Sequence, residues 1–160
     1  MKAESSLFVL YPADAGGKGL IHSTGGYLVS AYLTFNWFFN VTPLDVYYCD
    51  AELNSTIGHT YQVYGPLSNG TTCVIRATSA ASDPLGAAQL IDQHKVTLFY
   101  TCSDHIRAFK QRESELLRQT ARTSLRLLAS YDTPLEQELW HWLYHNFGNG
   151  CCTISESWWQ

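Results

Sequence analysis

The stretch VTLFYTC, Val96 to Cys102, decides the fold class of this chain. It is short, β-branched and aromatic, and it lacks the alternation of apolar and polar residues that marks a half-exposed strand. A strand of this kind is buried on both faces, which is typical of a parallel sheet covered by helices. Ser103 and Asp104 follow at once as a helix start, so the segment predicts a strand that leads directly into a helix.

Other segments of the chain repeat this pattern of strand and helix. Strands of similar composition are predicted at LFVLY (Leu7–Tyr11), DVYYC (Asp45–Cys49), TTCVI (Thr71–Ile75), SLRLLAS (Ser124–Ser130) and CTIS (Cys152–Ser155). Helices are predicted at about 23–39, 58–68, 84–95, 103–118 and 134–147. Asp83 and Thr133, each followed by proline, are N-cap signals, and Gly148 ends the last helix. We therefore expect one α/β domain over residues 1–160, with a mainly parallel sheet, right-handed crossovers and flanking helices.

Composition and charge restrict the class of protein. The chain has 160 residues, 46% hydrophobic and 15% charged, with a formal net charge of -4 and scattered Lys and Arg. This favours a globular protein and predicts neither a nucleic-acid groove nor attraction to an anionic membrane. No stretch reaches the ~18–20 apolar residues of a membrane span. The five cysteines are odd in number and form no CxxC pair, which favours free thiols in a reducing compartment, hence a cytoplasmic protein.

The patterns that mark metal ligands and nucleophiles are weak in this sequence. Cys151 with Cys152, and His141 with His145, supply two ligands each and no accompanying pair, so no metal site is predicted. There is no GxSxG segment for a nucleophilic serine, and no catalytic residue is assigned.

One glycine-rich segment lies where ligands bind in open α/β sheets, beyond the carboxyl ends of strands. Gly16, Gly17, Lys18 and Gly19 follow a predicted strand and precede a helix, where backbone amides and a lysine can hold phosphate. The segment does not match a Walker A loop, because Pro12 stands where that loop needs its first glycine. The residues alone leave open a phosphate-binding loop, its remnant and a plain turn.

Longer segments resemble one known family. They are HSTGGYL (22–28), the DVYYC strand, GHTYQVYGPLSNGTT (58–72), DQHKVTLFYT (92–101), SLRLL (124–128) and SESWWQ (155–160). Collinearly from about Leu7 to Gln160, they resemble acetyl-CoA synthetases, the AMP-forming acetate–CoA ligases of the adenylate-forming superfamily. The resemblance implies a partial adenylate-forming N-terminal domain, taken from its middle. It implies ATP or AMP, Mg²⁺, acetate and CoA as cofactors and partners, in a reaction that proceeds through acetyl-AMP.

The resemblance carries the phosphate, acyl and CoA sites onto particular positions. Gly16, Gly17, Lys18 and Gly19 match the end of the family's hydroxyl-rich phosphate loop, here two residues shorter and without hydroxyls. NSTIGH (54–59) matches GWVTGH, so Ser55 replaces tryptophan, Thr56 valine, and Ile57 the threonine associated with acetate and CoA. The implied acyl pocket comprises Thr56, Ile57, Tyr131 and Trp159, and Ile57 also marks the CoA site.

Two further motifs imply a nucleotide-binding site. The family's GEP reads Asp132-Thr133-Pro134, and its DTWWQ reads Glu156, Ser157, Trp158, Trp159 and Gln160. The family's TETG segment and its C-terminal domain with the adenylation lysine are expected to lie outside this sequence. Donors that stabilise a transition state are commonly worth ~3–4 kcal/mol each. We therefore expect acetate–CoA ligation to be absent in this chain alone. The alternative is a non-catalytic interaction or nucleotide-binding module that self-associates or pairs with another chain, because its sheet edges and faces are open.

Overall fold

The computed structural model describes residues 1–11 and 16–158. Its strands are β1 Ser6–Leu10, β2 Leu20–Ser23, β3 Val46–Cys49, β4 Thr72–Val74, β5 Leu98–Cys102, β6 Leu127–Tyr131 and β7 Thr153–Glu156. Its helices are α1 Thr24–Phe39, α2 Thr56–Gly58, α3 Gly65–Ser68, α4 Pro84–His94, α5 Ser103–Gln111, α6 Glu113–Gln119 and α7 Gln137–Trp142. Two π-helical turns, His59–Tyr64 and Leu143–Phe147, connect α2 to α3 and extend α7.

A five-stranded parallel sheet forms the centre of the fold. Its order is β4-β3-β5-β6-β7, and every neighbouring pair is parallel, as in the register of Tyr48 with Phe99 and of Phe99 with Leu128. Helices cover both faces, so the prediction of a mainly parallel α/β sheet is confirmed. The chain leaves β3 toward β4 on one side and later continues from β5 toward β7 on the other. The topological switch point therefore lies between β3 and β5.

The prediction that Leu7–Tyr11 belongs to the parallel sheet was wrong. β1 pairs antiparallel with β2 in a separate two-stranded sheet, with Val9 opposite Ile21 and Leu10 opposite Leu20. Gly16 and Gly17 have φ of 59° and 78°, a left-handed conformation that lets the chain reverse within a short loop. Parallel strands need a crossover of a dozen or more residues, which this connection does not contain.

Two hydrophobic clusters fill the space on either side of the sheet. One consists of aliphatic and aromatic residues beneath α4, α5, α6 and α7, with Phe99, Ile106 and Phe109 among its fully buried members. The other is mostly aromatic and lies between the sheet and α1. In it the ring of Phe39 lies 5.2 Å from that of Tyr100, centroid to centroid. The high aromatic content of the sequence is therefore used largely in core packing.

Helix boundaries follow the sequence signals in part. Asp83 caps α4 as predicted, since its carboxylate accepts a hydrogen bond of 3.0 Å from the Gly86 amide. Gly148 is the C-cap of the turn that extends α7, also as predicted. The single helix expected over 103–118 is instead α5 and α6, which meet at Arg112, where φ is -106°.

The predicted N-cap at Thr133 was wrong, because α7 begins at Gln137. Tertiary contacts hold the intervening residues out of the helix. The Thr133 hydroxyl hydrogen-bonds with the Ser103 hydroxyl, and the Leu135 amide donates to the Glu156 carboxylate at 2.9 Å. These contacts tie the segment to the ends of neighbouring strands, so the cap-then-proline signal is overridden by its surroundings.

Candidate functional site

Polar residues follow the strands at the carboxyl edge of the sheet. Asp50 comes directly after β3, Ser103 after β5, Asp132 after β6 and Ser157 after β7. Because the strands are parallel, all these side chains belong to one edge of the molecule. This is the edge at which open α/β sheets bind ligands.

The two loops predicted to bind nucleotide lie together. Together they form a cavity of about 90 Å³. It is lined by Ser130 and by six of the residues predicted to bind nucleotide: Asp132, Thr133, Pro134, Glu156, Ser157 and Trp158. The loops are held by the Ser157 amide, which donates to the Ser130 carbonyl at 2.8 Å, and by the contact of Glu156 with Leu135. Trp159 and Gln160 lie outside the described residues.

The small cavity adjoins two larger ones. A mainly apolar cavity of about 480 Å³ shares Ser157 and Trp158 with it and is bounded by Trp37 on α1. A further cavity of about 570 Å³ shares Thr34 and Tyr61 with the second. The three cavities therefore adjoin one another, and we call them together the edge groove.

The residues predicted for the acyl pocket are only partly brought together. Thr56 is exposed and lines the third cavity of the edge groove. Ile57 is half-buried and packs against the aromatic cluster beneath α1, of which Tyr131 is a buried member. Burial, together with the nearby Asp50 carboxylate, raises the pKa of Tyr131 above its ordinary range. Ile57 and Tyr131 thus belong to one apolar cluster, whereas Thr56 lines the open groove.

The predicted phosphate loop lies at the turn of the β1–β2 hairpin. Gly16, Gly17, Lys18 and Gly19 are all exposed, and a Cβ at either of the first two would meet nothing within 4 Å. Just beyond them along β2, Ile21 and His22 line the third cavity, so the loop adjoins one end of the edge groove. Pro12, at which the segment departs from a Walker A loop, lies outside the described residues.

Asp132 adopts a backbone conformation that suits glycine. Its φ is 79°, and it stands where the resembled motif has glycine. A left-handed conformation costs an L-residue about 1–2 kcal/mol, less for Asp, and glycine avoids this at a smaller entropic cost.

We expect Asp132→Gly to raise the free energy of unfolding by about 0.5–1 kcal/mol in urea denaturation. Asp104→Gly, within α5, should lower it by about as much. Equal losses in both variants would contradict the assignment of strain.

One pair at this edge was missed by the sequence reasoning. The Asp50 carboxylate, 1% exposed, accepts a hydrogen bond of 2.8 Å from Nδ1 of His105, and another of 2.6 Å from Thr101. Burial lowers the pKa of His105, but Asp50 and Cys102 outweigh burial and raise it to about 10. His105 was dismissed as isolated, and only the adjacency of β3 and β5 brings its partner to it.

The carboxylates of the edge groove do not form a metal centre. In residues 1–11 and 16–158, no three His, Cys, Asp or Glu side chains converge on a point that could hold an ion. Mg²⁺ is usually held by one or two carboxylates together with nucleotide phosphates. Asp132 and Glu156 fit only that supporting role. Over the same described stretch, no helix is long and apolar enough to cross a membrane.

Comparison with known proteins agrees with this fold. The family model for AMP-binding enzymes matches residues 17–160. Acetyl-coenzyme A synthetases of Xylella fastidiosa and Magnetococcus marinus are 44% and 42% identical over 163 aligned residues, covering 100% of this chain and 25% of each relative. The crystal structure of an acyl-CoA synthetase from Brucella canis superposes with a TM-score of 0.85 at 20% identity, over 100% of this chain and 28% of that one. At that identity the last comparison supports the fold alone.

The chain belongs to the family of AMP-binding enzymes, the adenylate-forming class that the parallel sheet and its carboxyl-edge groove indicate. It is acetyl-CoA synthetase-like along its whole length, which confirms the resemblance seen in the sequence. It spans about a quarter of the length of these curated relatives.

Proposed function

We propose that this acetyl-CoA synthetase-like domain binds an adenine nucleotide along the edge groove. The adenosine end would lie at the loops 132–134 and 156–158, and the phosphates would point toward Lys18. An acyl group would fit beside Ile57 and Tyr131. The observation that carries the proposal is that the three cavities share lining residues in a series that runs from the adenine-side loops to β2 of the phosphate-side hairpin. Lys18 is exposed at that hairpin and supplies a positive charge for the phosphates.

We further propose that the chain alone does not complete the ligation of acetate to CoA. The positions that resemble the family's catalytic motifs carry Ile57, Asp132 and Thr133 in place of threonine, glycine and glutamate. Asp132 adds a negative charge beside the site for an anionic nucleotide, which opposes phosphate binding. Each lost transition-state donor is worth ~3–4 kcal/mol, so several losses together would leave little adenylation even where ATP binds.

Titration calorimetry with ATP and with AMP tests the binding proposal. We expect measurable binding of ATP and weaker binding, by about tenfold, in Lys18→Ala, because a charge-assisted contact with phosphate is worth about 1.5–3 kcal/mol. Lys2→Ala removes an exposed lysine from the other end of the hairpin and should bind as the unmodified chain does. Absence of heat with both nucleotides would end the proposal.

A coupled assay of pyrophosphate release with acetate, ATP and Mg²⁺ tests the catalytic part. We expect no turnover above the background without protein. Steady formation of acetyl-AMP by the purified chain would overturn the proposed inactivity without affecting the binding result.

A second candidate is a module that associates with another copy or another chain, and this association neither requires nor excludes nucleotide binding. The observation that favours it is the exposed apolar side of α1, where Val29 is 59% and Trp37 72% exposed, beside Leu67 at 66%. We expect light scattering to show mass rising with concentration and Trp37→Lys to reduce that rise. A monomer at all concentrations would exclude self-association.

For either candidate we propose a cytoplasmic location, in keeping with the free state of all five cysteines.

A further inference from the structure

A crevice at the topological switch point, between the carboxyl ends of β3 and β5, holds polar residues that the proposed function does not use. After β3 the chain passes into α2 on the aromatic side of the sheet, where Ile57 packs. After β5 it passes into α5 on the opposite side, where Ile106 and Phe109 pack. Connections that leave adjacent strands toward opposite faces open a crevice at their carboxyl ends. Asp50 and Cys102 are the residues at those two ends.

Three polar groups meet Asp50 in this crevice. Its carboxylate accepts hydrogen bonds from Nδ1 of His105 at 2.8 Å, from the Thr101 hydroxyl at 2.6 Å and from the Tyr131 hydroxyl at 3.4 Å. The carboxylate is buried, whereas 16% of the His105 side chain stays exposed. The imidazole is thus fixed at one nitrogen by a buried acid while its ring still reaches solvent. This is how a base is oriented beside a nucleophile.

Cys102 is the thiol beside this imidazole. It is the N-cap residue of α5, and His105 is the third residue of that helix. The two side chains interact, because a hydrogen bond with Cys102 is among the causes that raise the pKa of His105. Cys102 also pairs in register with Tyr131 and packs, half-buried, on the same aromatic cluster as Ile57. The thiol therefore belongs to the apolar cluster assigned above to an acyl group.

Positive charge lies beside the thiol, at His105 and at the start of α5. His105 carries a positive charge at neutral pH, since its pKa is raised to about 10. The start of α5 adds the positive end of a helix dipole. The other titratable groups that face His105 and Cys102 are Asp50, whose charge His105 offsets, and Tyr131, which stays neutral because its pKa is raised.

The remaining thiols have different surroundings. Burial raises the pKa of Cys73 to about 11 and of Cys152 to about 12, and it raises the pKa of Cys49 beyond that. Cys151 is exposed, and its thiol hydrogen-bonds to the Gly148 carbonyl. It serves as the matched control for simple accessibility.

We propose that Cys102 is a nucleophilic thiol that accepts an acyl group from activated acyl compounds, with His105 as the proton donor to the leaving group and Asp50 as the residue that positions His105. The site for the acyl group rests on the proposed function, and the reactivity of the thiol does not. The Cys102 thiolate attacks the carbonyl carbon, a C–S bond forms to Cys102, and the bond from carbon to the leaving group breaks. With a thioester, the departing thiolate takes the proton from the His105 imidazolium, so charge and atoms balance.

The test uses p-nitrophenyl acetate, an activated ester whose leaving group is coloured. We expect one equivalent of nitrophenolate per chain in a burst at pH 6.5, with the acetyl group located on Cys102 by peptide mass mapping. Cys102→Ser should abolish the burst, and Cys151→Ser should keep it. An absent burst, or acetyl groups found on Cys151 or lysines instead, would overturn the proposal.

Variants of His105 and Asp50 distinguish a direct effect of these residues on the thiol from an effect on folding alone. His105→Gln should slow the reaction at pH 6.5 by about tenfold or more but leave it intact at pH 9.5, where an ordinary thiol ionises unaided. Asp50→Asn should give a smaller shift of the pH profile in the same direction, while Asp50→Glu restores part of it. Circular dichroism confirms that each variant is folded, and uniform slowing at both pH values would contradict the positioning role. The ester needs no nucleotide, so failure here is distinct from failure of nucleotide binding.

Discussion

Replacing Arg122 by alanine is expected to lower the free energy of unfolding by about 3–5 kcal/mol. Arg122 is 2% exposed and donates to carbonyls at the ends of two helical segments. At the end of α6 it reaches Thr120 at 2.8 Å and Leu116 at 3.4 Å; at the end of the turn after α7 it reaches Phe147 at 3.0 Å and Asn146 at 3.2 Å. One guanidinium thus caps two helix ends, and its removal leaves their buried carbonyls unpaired beside a void.

Urea denaturation followed by circular dichroism measures this loss. Arg118→Ala, which removes an exposed arginine from the last turn of α6, is the matched control and should change the free energy by no more than about 0.5 kcal/mol. Arg122→Lys should fall between the two, because an ammonium group keeps the charge but cannot form the planar fork. Equal stability of the two alanine variants would show that the buried network contributes nothing.

The second large effect is expected at Asp45, which precedes β3. Its carboxylate, 3% exposed, accepts from Arg126 Nε at 2.8 Å and Nη2 at 2.7 Å, from Thr97 at 2.6 Å and from the Thr42 amide at 2.7 Å. Asp45→Asn keeps the shape of the side chain but places an amide NH2 against the groups that donate to the carboxylate. We expect this to lower the free energy of unfolding by about 2–4 kcal/mol. The figure stays in the lower part of the buried-pair range because 38% of the Arg126 side chain is exposed to solvent screening.

The pH dependence of stability distinguishes this pair from a packing effect. Burial raises the pKa of Asp45, but the hydrogen bonds from Arg126, Thr97 and Thr42 outweigh burial and hold the pKa well below its ordinary range. A depressed carboxyl pKa contributes stability above the unfolded value, about 3.9, and that stability is lost as pH falls through the folded value. The gap between the unmodified chain and Asp45→Asn should therefore be constant above about pH 5 and narrow below about pH 4. A gap that stays constant down to pH 2 would contradict the ionic account.

Much of the fold was predictable because the strands of the parallel sheet are apolar on both faces. In VTLFYTC and the similar strand segments, the lack of polar alternation predicts burial on both faces. The alternation of these segments with helices along the chain predicts crossovers. Pairing is encoded less well, because LFVLY has the same composition as a sheet strand and only the left-handed Gly16 and Gly17 make it a hairpin. The start of α7 was missed for a similar reason: contacts of Thr133 and Leu135 with distant residues outweigh a local capping signal.

The candidate site was predictable only through the family's motifs. Composition and spacing left Gly16–Gly19 as one turn among several, whereas the motifs assigned Asp132, Thr133 and Glu156 to a nucleotide site. The cavity that these three line required the structure. The Asp50–His105 pair matched no motif, and its members are separated along the chain until β3 and β5 become neighbours. A pair of residues that meets only because two strands are neighbours in the sheet cannot be predicted from local sequence patterns.

Stacked rings hold the base of the β1–β2 hairpin. Phe8 lies between two histidine rings, with centroids 4.8 Å from His22 and 5.4 Å from His59, and it meets Tyr27 edge-on at 4.8 Å. These contacts link the hairpin to α1 and to the π-helical turn. The backbone around Phe8 and His22 is therefore held in place before any ligand arrives. The proposed binding of a phosphate beside the hairpin would then cost little conformational entropy in these two strands.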